Sequence, residues 1–471
     1  MSGPIILWFR QDLRLDDHSA LIAACASGTT VLPVFIEDDA VARPLGQTSK
    51  WWLSQSLNAL NQGLRERGAQ LHVFKGDTAQ ILKELAQATE AVGVYWSRCY
   101  DPEYIGRDSQ LKSELKEIGL EAQSFTGHLL FEPWQVENKS GQPFKVFSPF
   151  WKACRAMGIT RQPQAAPKAI NCYQGAMPEL AWAKSDLLPF ETHLNGHWQT
   201  GETGALKRLE HFIETILTGY KDARDMPCVD GTSRLSPHLR WGEISPLRIW
   251  HTVQDAVHAE RVPAKDAEKF LAELGWREFS FQLLYFNPNL QKENLQQRFN
   301  AFPWVEDTEG FERWRNGQTG YPIVDAGMRE LRETGYMHNR VRMIAASFLI
   351  KHLMIDWRHG EAWFWDQLVD ADPANNTASW QWVAGCGADA APYFRIFNPI
   401  IQGRKFDPEA LYTSRFVPEL NNLPVKYAFS PWEAPLDVLK TAGVDLGLSY
   451  PPPMVEHGFA RERALAAFSG L

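Results

Sequence analysis

Apolar and polar positions change their rhythm twice along this chain. Over residues 1–125 the short apolar runs PIILWF, VLPVFI, LHVF and VGVYW alternate with amphipathic stretches near 17–27, 49–67 and 77–88. Apolar runs of this length bounded by polar turns predict buried strands, and the stretches between them predict helices, the alternation of a doubly wound α/β layer. A helical stretch around 105–118 then precedes EAQSF, which predicts a fifth parallel strand. FRQDLRLDD follows the first strand where a dinucleotide fold carries GxGxxG, so ordinary NAD binding is not expected there.

From about 126 to 200 the periodicity fades, and Pro, Gly, Gln and Asn recur in GITRQPQAAPKAINCYQGAMPE, which reads as a long connector. Beyond 201 helical spacing takes over, as in VRMIAASFLIKHLMIDW and AWFWDQLV. The expected organisation is an α/β domain over 1–125, a connector over 126–200 and an all-helical domain over 201–471.

A length of 471 residues suits two domains rather than one core. Apolar runs stay well short of the roughly 20 residues of a membrane helix, and MSGPIILWFRQDLR has no basic region followed by a cleavage site. A cytoplasmic protein is expected. The six cysteines, Cys25, Cys99, Cys154, Cys172, Cys228 and Cys386, form no CxxC pair and no Cys/His cluster, which argues against zinc, iron-sulfur or disulfide chemistry and leaves no metal site to expect. The net charge of -8 speaks against a broad nucleic-acid surface. Beyond 201, however, Arg outnumbers Lys 20 to 9, and Arg suits forked phosphate contacts and stacking on aromatic faces. Any DNA-binding patch must be local.

Eleven of the 19 tryptophans lie beyond 201, with GTSRLSPHLRWGEISP and the block LVDADPANNTASWQWVAGCGADAAPYFRIFNP. Any one of these indoles reads most simply as core. The block is harder to read that way, because Asp370, Asp372, Asn375 and Asn376 stand beside Trp380, Trp382 and a Gly/Ala-rich turn. Small residues let the backbone approach a ligand closely, and polar groups beside aromatics suit a planar heterocycle.

WFRQDLRLDD, KVFSPFWKAC, GTSRLSPHL, LGWREF, GQTGYPIVDAGMREL, MHNRVRM and the stretch from WQW to RIFNP follow one another over nearly the whole chain. In these motifs and in their order the chain resembles the photolyases and cryptochromes. The resemblance implies FAD held in a folded conformation in the helical domain, its phosphates at Thr232, Ser233, Arg234, Leu235 and Ser236 with Tyr220 upstream. It implies that Asp370 pairs with Arg342 beside the isoalloxazine, that Asp372 approaches the ring edge, and that Asn376 faces N5. An amide there, unlike an acid, has no proton to supply, which favours the reduced, anionic hydroquinone.

The activity implied is repair of pyrimidine dimers by an electron that leaves the photoexcited, reduced flavin and returns to it. Enzymes that do chemistry on a base, photolyases among them, take it out of the stack first. The implied lesion pocket is Glu273, Trp276, Asn339, Arg340, Met343 and Trp382. Trp276 and Trp382 would flank the flipped dimer, and Glu273 would hydrogen-bond it and stabilise its radical anion. Arg224, Arg340 and Arg395 are the implied contacts to DNA phosphates, and Trp380, Trp357 and Trp304 the implied electron relay to oxidised flavin. Tyr336 in YMHNR stands where many relatives have Trp.

One alternative is a blue-light receptor of the same family; against it, the pocket residues are retained and the similarity runs almost to Leu471 without a long tail. A second is repair of (6-4) photoproducts, which asks for a pair of histidines where this chain reads His338 then Asn339. A plain flavin oxidoreductase lacks both a nicotinamide fingerprint and a catalytic dyad. Glu103 and Tyr104 in WSRCYDPEYIGRD lie near the expected folate contacts without matching them in full, so methenyltetrahydrofolate is the favoured antenna chromophore. The expected partner is damaged DNA, met by a monomer that needs neither a membrane nor a protein partner.

Overall fold

The computed structural model describes residues 3–38, 43–175, 177, 194–389 and 394–471. Part of the expected connector, 178–193, and residues 390–393 of the aromatic block lie outside the described residues. The chain divides into two compact units, residues 1–218 with 233–288, and residues 219–232 with 289–471. This is not the division at 125 and 200 that periodicity suggests. The helical segment 233–288 groups with the sheet-bearing unit, because periodicity tells helix from strand but not which core a helix joins.

In the first unit β1 (Ile5–Phe9), β2 (Val31–Asp38), β3 (His72–Gly76), β4 (Gly93–Ser97) and β5 (Glu121–Phe125) form one parallel sheet in the order β3-β2-β1-β4-β5. The connecting helices are α1 (Ser19–Ala26), α2 (Gln47–Arg65), α3 (Thr78–Ala88) and α4 (Pro102–Glu117). All five expected strands and the four helices between them are present. Ile6, Trp8, Leu32, Val34, Val94 and Trp96 bury one face of the sheet against Ile81, Leu82 and Leu85 of α3 and Leu111 and Leu115 of α4. Pro33 is tolerated inside β2 because the ladder to β3 starts one residue later, at Val34.

WFRQDLRLDD builds a hub where a dinucleotide fold would have its phosphate loop. Arg14, only 1% exposed, donates to the carbonyls of Asp16, Asp17, Gly127 and Gly242. Gly242 has φ +65°, and a Cβ there would stand 2.0 Å from the Gln11 carbonyl oxygen, so only glycine fits. Further helices of this unit include Phe147–Met157, Pro246–His258 and Ala264–Phe286. At Gly275 a Cβ would lie 2.5 Å from the Trp151 indole, which allows the helices carrying these two residues to pack closely.

Among the described residues of the second unit the regular elements are all helices, joined by turns and loops, apart from one isolated bridge, Leu446 to Tyr450. Its buried core runs through Trp314, Ile323, Val324, Val341, Ile344, Phe348, Leu349, Trp357 and Trp380. GQTGYPIVDAGMREL is explained by packing. Asp325 is fully buried and accepts from Thr319 N and Oγ1 (2.7 Å each), Gly320 N (3.1 Å) and Tyr450 OH (2.5 Å). Gly327 leaves room for Val341, whose Cγ1 would lie 2.3 Å from a Cβ at that position. No helix among the described residues is long and apolar enough to cross a membrane.

Candidate functional site

The aromatic block folds into the helix Pro373–Ala384, and Asp372 starts it. Its carboxylate accepts from Ala374 N (2.9 Å), Asn375 N (2.7 Å) and Asn375 Nδ2 (2.6 Å). This is an N-cap, which satisfies donors the helix cannot satisfy itself. The capping role also rigidifies the carboxylate expected at the ring edge of a flavin.

Asn376, one turn on, is 8% exposed and donates through Nδ2 to both the backbone oxygen (3.0 Å) and Oε1 (2.7 Å) of Glu361. Thr377 Oγ1 donates to the same Oε1 at 3.2 Å. Glu361 lies on the helix Trp357–Gln367, and sequence reasoning missed it: neither Glu361 nor Asp366 in WRHGEAWFWDQ carries a motif, and only the position of Glu361 opposite Asn376 gives it a role. Neither hydrogen bond uses Asn376 Oδ1, which is left to accept.

Arg342, on the helix Asn339–Ser347, meets Asp370 as the resemblance implies: Nη2 lies 2.9 Å from Asp370 Oδ2. Its Nε donates to Met337 O at 2.7 Å, and its guanidinium lies 5.1 Å from the centroid of the Tyr336 ring. Tyrosine at 336 thus still offers an aromatic face. Burial alone would lower the Arg342 pKa, but the Asp370 carboxylate together with Tyr336 and Glu330 offsets it and the pKa is raised, so the guanidinium stays charged.

The same helix starts at His338, which is 5% exposed and accepts from Arg340 N through Nδ1 at 3.2 Å. Burial pushes its imidazole pKa down to about 4, so the ring is neutral at ordinary pH. Arg340 pairs with Asp225 (2.9 Å), lies over the Phe406 ring (4.3 Å to the centroid) and reaches Met343 Sδ at 4.0 Å. Arg224 stands 3.8 Å from Asp225 and over Tyr220. Of the residues expected at DNA, the second unit therefore gathers Arg224 and Arg340 around one carboxylate, with Met343 against Arg340. Asn339 and Arg395 are exposed. Trp382 is half-buried, its Nε1 donating to Asp389 O at 3.1 Å.

Trp380, Trp357 and Trp304 all belong to this unit, the first two buried and the third half-buried. A Cβ on Gly360 would stand 2.2 Å from Trp380 Cη2, which places the Trp380 indole against the helix that begins at Trp357. Val305 N donates to Met354 O at 2.8 Å, tying the backbone beside Trp304 to the segment leading into that helix.

Glu273 and Trp276 belong to the first unit, on the helix Ala264–Phe286. Trp276 stacks on Phe147 of KVFSPFWKAC, with centroids 3.8 Å apart and planes 10° apart, so one indole face is covered. Glu273 Oε1 lies 3.2 Å from Lys269 Nζ, one turn earlier, and its charge already has a partner. Of the expected phosphate signature, Ser233–Ser236 also lie in this unit. Arg234 adopts φ +51° and Leu235 N donates to Ser233 Oγ at 3.4 Å, ahead of the helix Ser236–Trp241. Thr232 and Tyr220 belong to the second unit.

Residues 5–168 match a family described as DNA photolyase, and residues 270–470 match the FAD binding domain of DNA photolyase. A deoxyribodipyrimidine photo-lyase of Agrobacterium fabrum is 49% identical, with 100% of this chain and 98% of the relative aligned. Cryptochrome-2 of Arabidopsis thaliana is 38% identical over 100% of this chain and 79% of its own length. Among solved structures, a bacterial class III photolyase from Agrobacterium tumefaciens superposes with a TM-score of 0.94 at 49% identity, covering 100% of this chain and 98% of that one. A Synechocystis cryptochrome superposes with a TM-score of 0.90 at 33% identity, covering 98% and 99%. With family matches over residues 5–168 and 270–470 and full-length relatives at this identity, the chain belongs to the DNA photolyase and cryptochrome family.

Proposed function

We propose that this protein is a deoxyribopyrimidine-dimer photolyase: with FAD bound, it reverses cyclobutane pyrimidine dimers in DNA under near-ultraviolet or blue light. The observation that carries this reading is the full-length 49% identity to a deoxyribodipyrimidine photo-lyase, together with Asn339 and Met343 on the helix after His338. When bound and reduced, FAD supplies a photoexcited electron that opens the dimer and then returns, so the protein's part is to bind, orient and exclude water.

Each residue has a physical task in that scheme. Asn376, its amide nitrogen held by Glu361, presents Oδ1 as an acceptor for the flavin N5 edge. The Arg342–Asp370 pair, Thr232, Ser233, Arg234, Ser236 and Tyr220 hold the cofactor. Trp276 offers its uncovered face to a flipped base, with Phe147 behind it, and Trp382 offers a second indole for stacking. Base-aromatic stacking of this kind is worth about 1 to 3 kcal/mol per base. Glu273 brings a carboxylate already neutralised by Lys269, which limits the repulsion between it and a dimer that gains negative charge. Arg224, Arg340 and Arg395 receive phosphates, and Trp304, Trp357 and Trp380 pass an electron inward when the flavin is oxidised.

His338 supports cyclobutane dimers over (6-4) photoproducts. It is a buried, neutral helix cap, poorly placed to act as the proton-transferring histidine of a pair. The receptor reading has an observation of its own in the cryptochrome relatives at 33% to 38% identity. The deciding experiment counts dimers and (6-4) products left in DNA after illumination with reduced enzyme. Loss of cyclobutane dimers alone is expected; loss of neither lesion favours the receptor, and loss of (6-4) products alone overturns the pocket.

An antenna chromophore completes the reading, with methenyltetrahydrofolate favoured. Glu103 is exposed, whereas the Tyr104 ring is already covered by Arg10 and Arg107 at 5.2 and 4.9 Å. A cavity of about 280 Å³ in the same unit, lined by Phe131, Trp151, Trp250 and Leu271, offers a planar chromophore more aromatic surface. The absorption spectrum of purified protein tests this, since a folate adds near-ultraviolet absorbance beyond that of the flavin. The protein is proposed to act as a monomer, which light scattering measures.

A further inference from the structure

Asp225 stands between two arginines that are read as phosphate contacts. Its Oδ2 lies 2.9 Å from Arg340 Nη2 and its Oδ1 3.8 Å from Arg224 Nε. Both guanidinium groups are otherwise fixed from behind, Arg340 by the Phe406 ring and Met343 Sδ, Arg224 by the Tyr220 ring. The arginine side chains are 16% and 12% exposed and that of Asp225 is 36% exposed, so the carboxylate is the most open member of the cluster. An approaching phosphate meets arginines that are already aimed, and beside them a like charge.

These two effects act differently on the two kinds of DNA. Pre-aimed guanidinium groups lose little freedom on binding, which helps a complex that needs Arg340 in one register beside Met343. The like charge weakens every phosphate contact, and with undamaged DNA those contacts supply essentially all of the affinity. A lesion complex adds stacking on the flipped base and so tolerates the repulsion. We propose that Asp225 is a positioning and specificity-determining residue, which holds Arg224 and Arg340 for the lesion complex and by its own charge suppresses capture of undamaged DNA. The proposal rests on the reading of Arg224 and Arg340 as phosphate contacts.

The test measures Kd against salt for a duplex with one thymine dimer and for the same duplex undamaged. It compares wild type, Asp225→Asn, Asp225→Ser, Asp225→Glu, Arg224→Ala and Arg340→Ala, with FAD content and melting temperature recorded for each. Asp225→Asn is expected to tighten undamaged binding by about two- to fivefold, the range of a partly exposed ion pair. It should steepen the salt dependence by up to about one phosphate contact and lower the ratio of damaged to undamaged affinity. Asp225→Ser should move all three quantities the same way, and Asp225→Glu should restore them. Unchanged undamaged affinity and salt slope in both neutral variants overturns the proposal, as does an equal weakening of both DNAs that Asp225→Glu does not reverse. If Arg224→Ala and Arg340→Ala leave DNA binding and its salt slope untouched, the phosphate reading fails and the proposal falls with it. Weakening by those two variants without any effect of Asp225→Asn removes the proposal alone.

Discussion

The side-chain amide of Asn376 is oriented by Glu361. Both partners of its nitrogen, the Glu361 carbonyl at 3.0 Å and Oε1 at 2.7 Å, are acceptors, so the nitrogen must face them and Oδ1 must face away. A lone asparagine has two such orientations, related by a flip of the amide, and the neighbouring acid selects one. An acid fifteen residues upstream therefore decides which atom Asn376 presents to a cofactor.

Glu361→Ala leaves buried Asn376 Nδ2 with only the backbone carbonyl of residue 361 and removes the acceptor of buried Thr377 Oγ1. Leaving such donors short of partners costs about 1 to 3 kcal/mol, read as a lower midpoint in urea unfolding. The visible absorption spectrum of bound FAD should also change shape. Glu361→Gln keeps one acceptor oxygen and should lose clearly less of both; equal loss in the two variants would detach Asn376 from Glu361.

Trp304→Phe and Trp357→Phe separate the electron relay from repair. Photoreduction of oxidised FAD should slow by at least tenfold, while dimer repair by chemically pre-reduced enzyme stays within about twofold of wild type, as expected for relay residues that make no contact with the lesion. Trp357→Phe should also lower stability by about 1 to 2 kcal/mol, because Trp357 Nε1 donates to buried Asn294 Oδ1 at 2.9 Å. Trp304 is half-buried and its replacement should cost less. A parallel loss of photoreduction and repair would give these indoles a different task.

Trp276→Ala should weaken binding of dimer-containing DNA by about 1 to 3 kcal/mol and undamaged DNA by much less, because stacking exists only with a flipped base. Phe147→Ala should reproduce part of that loss, since it removes the ring on which Trp276 rests. Competition binding with the two duplexes measures both. Equal weakening for the two duplexes would place Trp276 among general DNA contacts.

Stability should fall as pH drops below about 6.5, and two histidines contribute. Burial lowers the His338 pKa from 6.5 to about 4 and that of His352 from 6.5 to about 3. Between those values and 6.5 the unfolded chain binds more protons than the folded one, so the stability each neutral ring provides is complete above 6.5 and is lost as the pH falls. His352→Leu should flatten the pH dependence of the urea midpoint between about 6.5 and 4 relative to wild type, since the substituted position no longer takes up a proton on unfolding. Identical pH profiles would show that His352 titrates alike in both states.

Much of this protein is legible before any folding is considered. The five strands stand out because a buried parallel strand needs an uninterrupted apolar run, and the helical second half because apolar positions recur at helical spacing. The Arg342–Asp370 pair could be named from the motifs alone, and the structure brings those two side chains to 2.9 Å. What the sequence leaves open are relations between residues with no periodic or motif signal joining them. Segment 233–288 reads as helix in either unit, and only packing assigns it to the sheet-bearing one. Arg14 looks like an exposed arginine in WFRQDLRLDD until the carbonyls of Gly127 and Gly242 converge on it. Glu361 and Asp225 look like ordinary surface acids until Asn376 and Arg340 are placed against them. Burial and hydrogen bonding act on distance in space, and a chain states only distance along itself, so the elements were written in the sequence and the partners were chosen by the fold.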